Sequence, residues 1–302
     1  MYSTDMASLY TQQGKNVFRT WLLMGIFLVI VLLIGEAASL YFRDTSILYF
    51  ALAFALISNI SAYWFSDKIA IASAGAHPAD ESQYRELHRI VENLAITAGL
   101  PKPRVYIIDD PAPNAFATGR DKKHAVIAVT TGLLAMMNRS ELEGVIAHEL
   151  SHVGNRDILV MTVAVVLVGF ISALANMFIR MSYFGGGDRD RNAGPIVLIA
   201  MLLAVFLAPI AAQLIQLAIS RKREYLADAD GALLTRYPEG LASALAKIGS
   251  YEAPMQRAST TTAHLFISNP FGSHPAGQWL SNLFSTHPPI PDRIAALEGM
   301  NV

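Results

Sequence analysis

Five consecutive residues, His148-Glu149-Leu150-Ser151-His152, carry the side-chain types that metal-assisted hydrolysis needs. Positions four apart share one face of a helix, so the two imidazoles can converge on a single zinc ion at about 2.0–2.1 Å. Glu149 stands beside the first of them and can reach water on the metal without closing the coordination shell. It would take a proton as that water attacks a peptide carbonyl polarised by the ion. The pattern also arises in helices with two surface histidines, so its surroundings must decide. The chain contains no cysteine, which excludes disulfides, thiol catalysis and thiolate-bound zinc and leaves His, Glu or Asp to complete the site.

A catalytic zinc site keeps three protein ligands and one open position. The acidic candidates are Glu224 and Asp228 in Arg221-Lys222-Arg223-Glu224-Tyr225-Leu226-Ala227-Asp228, which share a face if that stretch is helical. Glu224 could bind the metal and Asp228 could accept from the second nitrogen of a ligating histidine. Both could equally be ordinary charges answering Arg221 and Arg223.

The motif needs a helix to hold it. Ser140 as N-cap and Glu143 at the third position read as a capping box, and Leu142, Val145, Ile146, Leu150 and Val153 supply an apolar side. Upstream, Tyr84, Leu87, Val91, Leu94 and Ala98 recur at helical steps and stop at Gly99, while Arg104 to Ile108 and His124 to Thr130 read as short strands.

The rest of the chain is unusually apolar: 53% hydrophobic and 16% charged over 302 residues, with a mean hydropathy of +0.37. Four apolar runs, Val17 to Gly35, Ser46 to Phe65, Ile158 to Ile179 and Ile196 to Ile219, are each long enough for a hydrocarbon core of about 30 Å. The expected fold is therefore a membrane α-helical protein with four transmembrane helices and a mainly α, α+β zincin-like catalytic domain. Its expected parts are a transmembrane hairpin (1–65), a first catalytic segment with the histidine motif (66–157), a second hairpin (158–219) and a second catalytic segment (220–302). An even number of spans returns both catalytic segments to one membrane face, which removes the difficulty of the long separation between His152 and Glu224. Lys15, Arg19, Lys68 and Arg221 to Arg223 flank the spans and obey the positive-inside bias if that face is cytoplasmic, a bias moderated by the arginines between Arg180 and Asn192. A formal net charge of −1 gives no field to draw nucleic acid.

Together, Asn114-Ala115-Phe116-Ala117-Thr118-Gly119, the histidine motif, Arg223-Glu224-Tyr225-Leu226-Ala227-Asp228 and Ser285-Thr286-His287-Pro288-Pro289-Ile290-Pro291-Asp292-Arg293-Ile294 resemble the HtpX family of bacterial membrane-bound zinc endopeptidases, related to the CAAX prenyl proteases. The resemblance covers nearly the whole chain. It implies one catalytic Zn2+ held by His148, His152 and Glu224, Glu149 as the group that activates water, and Asp228 as support. It further implies that Asn114 binds substrate backbone, and that His287 and Arg293 stabilise the transition state or the substrate carbonyl. From the residues alone, Asn114 after Pro113 could cap a turn, His287 could sit in a rigid proline loop and Arg293 could be a surface cation. The resemblance also implies a bacterial cytoplasmic (inner) membrane location and membrane-protein or peptide substrates, damaged or misassembled ones among them. A membrane scaffold or chaperone with structural zinc would gain nothing from Glu149, and a transporter is disfavoured by the sparseness of acidic residues within the spans, where Glu36 at the edge of the first is a weak ion-path candidate.

Overall fold

The structure, a computed structural model, describes residues 9–184, 220–257, 262–271 and 288–300. Helices α1 (Leu9–Phe42) and α2 (Ser46–Trp64) form an antiparallel hairpin. Gly35 is essential to their crossing, because a Cβ there would lie 2.4 Å from the Ala51 methyl group; small residues let apolar helices approach closely. Asn59 Nδ2 donates to the Met24 carbonyl at 3.2 Å, which ties the two helices together. Phe18, Leu33, Tyr49 and Ile57 stay exposed along its outside, as a lipid-facing surface requires.

Four spans were expected, and this is corrected by the structure. Among the described residues two helices are long and apolar enough to cross a membrane, Gln13–Tyr41 and Ser46–Trp64, or three if a pair bent by 84°, Arg139–Gly154 with Asp157–Ala173, counts as one. The third apolar run belongs to α7 (Asp157–Phe184). Ile158, Val160, Val163, Leu167 and Val168 are all buried, packed against α1, α2 and one face of the sheet. Their apolarity thus answers to protein neighbours, and hydropathy cannot distinguish that from lipid. The fourth run, Ile196 to Ile219, lies outside the described residues.

Beyond the hairpin, α3 (Ser66–Ala74) leads into a mixed α/β domain. Its sheet has the order β1-β2-β4-β3, with β1 (His77–Pro78), β2 (Arg104–Ile108), β3 (Ala115–Thr118) and β4 (Val126–Thr130). β2 and β4 are parallel, and the other pairings are antiparallel. Alternation along the strands divides the core. Ile108, Phe116 and Ala128 face α1, α2 and α7; Val105, Ile107, Ala117, Ile127 and Val129 face α4 (Arg85–Thr97) and α6 (Arg139–Gly154). A sheet covered on both faces explains why its strands read as continuous apolar runs. The expected strand from His124 begins two residues later, because Lys122–His124 form a 3-10 turn capped by Asp121. β3 was not foreseen as a strand.

α5 (Thr131–Met136) links β4 to α6. Of the other described helices, α8 (Arg221–Thr235) and α9 (Pro238–Ser250) pack against α6, and α10 (Ile290–Glu298) packs on α9 and α8. α6 starts earlier than expected: Asn138 is the N-cap and Glu141 closes the capping box, not Ser140 and Glu143. Glu141 also reaches Lys247 Nζ at 2.7 Å and Ser243 Oγ at 2.6 Å, so the same carboxylate caps α6 and fastens α9.

Candidate metal centre

α6 is buried almost all round. Val145, Ile146 and Leu150 are at most 1% exposed, each contributing about 1.5–3 kcal/mol by burial. His148, Glu149 and His152 lie in the same buried segment. α8 approaches them closely at Gly231, where a Cβ would stand 3.0 Å from the His148 backbone nitrogen. That approach brings Glu224, one turn into α8 and 1% exposed, to the histidine pair.

The three side chains offer ligand atoms that all lie within 4.8 Å of one another. The two Nε2 atoms are 3.2 Å apart, and Glu224 oxygens lie 3.8 Å from His148 Nε2 and 3.7 Å from His152 Nε2. Tetrahedral zinc with bonds of about 2.0–2.1 Å separates its ligands by about 3.3–3.5 Å. The donor set therefore fits zinc, and two nitrogens and a carboxylate are its ordinary partners. Both imidazoles present Nε2 because a carboxylate engages each Nδ1, Asp228 at 2.9 Å from His148 and Asp157 at 3.1 Å from His152. Such pairs fix ring orientation and raise ligand basicity.

Sequence reasoning missed Asp157. It follows the end of α6, and no periodicity links it to His152. Arg156, in the left-handed region at φ 57°, turns the chain so that α7 starts beneath the ring. Asn16, also missed, is 1% exposed on α1. Its Nδ2 donates to Asp157 Oδ1 at 2.7 Å and to the Asn155 carbonyl at 3.0 Å, and its Oδ1 accepts from Arg223 at 3.2 Å. In the sequence Asn16 stands among the polar residues Gln12, Gln13, Lys15 and Arg19, and nothing there sets it apart.

Arg293 is fully buried, donating to both Asp228 oxygens at 2.8 and 2.6 Å and to the Ile267 carbonyl at 3.2 Å. It lies behind His148, with Nη2 3.5 Å from Nδ1. The surface-cation reading is therefore overturned. Asn114 is 1% exposed; its Nδ2 donates to the Ser268 carbonyl at 3.1 Å and its Oδ1 accepts from the Ala115 amide at 3.1 Å. His287 lies outside the described residues.

Burial pushes the Glu149 carboxyl up to about 7, against the lowering influence of His152 and of the Ala117 amide. Burial lowers His148, with Arg293 and His152 adding to it and Asp228 opposing. Burial acts the same way on His152, but Asp157 and Glu224 outweigh it and raise the ring to about 9. With a dication on the same atoms both rings are neutral ligands.

β3 is the edge strand beside α6. β4 lies between β2 and β3 with both edges occupied, so it cannot pair with a further strand. On β3 the Ala115 carbonyl accepts from Ile267 at 2.9 Å, and the Ala117 amide meets Glu149.

The model of peptidase family M48 matches residues 81–301, which includes every one of these site residues except Asn16. The chain is 50% identical over 302 residues to a protease HtpX homolog of Caldanaerobacter subterraneus subsp. tengcongensis, covering 98% of this chain and 99% of the relative. It is 54% identical over 250 residues to a homolog of the same name from Pyrococcus furiosus, covering 82% of this chain and 84% of that one. Among solved structures it is similar to S. mikatae Ste24p, with a TM-score of 0.51 and 22% identity, covering 91% of this chain and 62% of that chain; this likeness speaks to the fold alone. A His-His-Glu cluster with zinc-compatible spacing, an adjoining glutamate on the same helix and homology along nearly the full length agree: the chain is a metalloendopeptidase of the membrane and belongs to peptidase family M48, within its HtpX group.

Proposed function

We propose that the protein cleaves damaged or misassembled membrane proteins at the membrane surface, using a single Zn2+ held by His148, His152 and Glu224. One observation carries this reading: three buried donors converge beside an uncoordinated carboxyl, on a helix that runs next to β3, an outer strand of the sheet. Zinc, when bound, supplies a Lewis acid and a water acidic enough to react near neutral pH. Glu149 takes the proton from the attacking water and returns it to the leaving amine.

An extended substrate would pair with β3 by taking the place of the Ile267–Ser268 segment now bonded to Ala115 and Asn114; backbone pairing of this kind tolerates varied sequences. Asn114, whose amide holds the Ser268 backbone, would hold a substrate backbone in its place. Arg293 acts through Asp228 as a positioning residue and does not touch substrate. His287 is the proposed donor to the developing oxyanion, resting on the sequence resemblance. The basic residues Lys15, Arg19, Lys68 and Arg221 to Arg223 support a cytoplasmic catalytic face in a bacterial inner membrane.

The test measures zinc content and cleavage of a purified, unfolded membrane protein by the full-length chain. Glu149→Gln is expected to keep its zinc and lose about 10²–10⁴-fold in kcat. Unchanged cleavage would remove Glu149 as the base. Glu224→Ala holding zinc as tightly as wild type would remove the third ligand.

A further inference from the structure

Where the second membrane helix meets the catalytic domain, a cavity of about 500 Å³ opens between the end of α2, the start of α3, the start of β2 and the turn after β3. Its wall carries four cations, Lys68, Arg104, Arg120 and Lys123, against one carboxylate, Asp67. Only Arg104 is neutralised by that carboxylate, at 2.6 Å. Arg120 faces Asp121 at 3.6 Å, and among the described residues no carboxylate pairs with Lys68 or Lys123.

The cavity's position is fixed by its aromatic residues. Trp64 and Phe65, 52% and 48% exposed, end the candidate span Ser46–Trp64, and exposed aromatics at the end of a span lie at headgroup level. The same rings bind the cations: the Arg120 guanidinium lies over Trp64 at 5.1 Å, and Lys68 Nζ over Phe65 at 5.5 Å. Arg120 also bonds to His124 Nε2 at 2.7 Å. Its planar donor fork is therefore held in place beside the opening, and a fixed guanidinium matches the geometry of a phosphate.

We propose that this cavity binds the phosphate of an anionic lipid headgroup, with Arg120 as the fixed donor and Lys68 and Lys123 as the attracting charges. The ligand chemistry is a phosphodiester anion. The lipid is favoured over a free phosphate because the opening lies at the membrane boundary, where headgroups are concentrated. This site is separate from the metal centre, since none of its wall residues belongs to the His-His-Glu cluster or to its supporting carboxylates.

The experiment uses the full-length protein in nanodiscs of phosphatidylcholine alone or with phosphatidylglycerol, following thermal unfolding and the lipid retained on extraction. Wild type is expected to unfold at higher temperature with phosphatidylglycerol and to retain it selectively. Retention should fall about fivefold per lysine removed in Lys68→Gln and Lys123→Gln. A control, Arg85→Gln with Arg89→Gln, makes the same charge change on the exposed side of α4 and should retain lipid like wild type. Equal behaviour of wild type in the two lipids would overturn the proposal whatever the variants do, and so would an equal loss in the control. Inorganic phosphate in phosphatidylcholine discs is expected to have no effect; a shift as large as that of phosphatidylglycerol would overturn the lipid assignment.

Discussion

The two histidines of one motif, a single helical turn apart, are supported from opposite parts of the molecule. His148 leans on Asp228, which is held by the buried fork of Arg293 from α10. His152 leans on Asp157, whose other oxygen accepts from Asn16 on the first membrane helix. One ligand is thus referenced to the core of the catalytic domain and the other to the membrane hairpin. Their electrostatics diverge accordingly. Burial lowers both rings, and Arg293 beside His148 reinforces it, whereas around His152 Asp157, Glu224 and Glu149 outweigh it. Equivalent positions in a motif need not be equivalent in energy, because each ring answers to its own surroundings.

The largest expected effect tests the domain-side support. Arg293→Met leaves Asp228 buried without its cation, and breaking such a pair costs about 3–5 kcal/mol. A sharply lower melting temperature and poor zinc retention should follow. If Arg293→Met melted like wild type, the ion pair would not be the anchor of this side.

Asp157→Asn tests the other side by removing the charge that orients His152. Zinc affinity is expected to fall about 10–100-fold, measured by chelator competition, with a smaller loss of stability than in Arg293→Met. Asn16→Ala lies one step further out. It deletes a hydrogen bond to a carboxylate, a contribution of about 1.5–3 kcal/mol, and should weaken zinc binding in the same direction but less than Asp157→Asn. Wild-type affinity in Asn16→Ala would break the link between the membrane helix and the metal.

The smallest effect comes from the opposite end of the same helix. Glu141→Gln loosens the capping box and the contact to Lys247, costing about 1–2 kcal/mol, and should leave zinc affinity unchanged. Burial alone would raise this carboxyl, but Lys247, Ser243 and the Asn138 amide outweigh it and hold it below the usual range. A lowered folded pKa stabilises fully above the unfolded value of about 4.3 and loses that stabilisation as pH falls through the folded value. The difference in melting temperature between wild type and Glu141→Gln should therefore be steady at neutral pH and shrink below about pH 4.

The local chemistry was legible in the residues alone. Helical spacing put His148 and His152 on one face with Glu149 beside them, and the motif order led to Glu224 and Asp228. The run of the first two apolar segments marked a membrane hairpin. Each of these is a short-range property, a matter of periodicity or of length against bilayer thickness. How the elements pack settled that the apolar run from Ile158 lies against protein, that β4 is enclosed with β3 outside it, and that Arg293 is buried rather than solvated. The same holds for Asp157 and Asn16, whose partnership joins positions 141 residues apart. A buried polar side chain takes its role from the groups that satisfy it, and those are chosen by how helices pack, not by their distance along the chain.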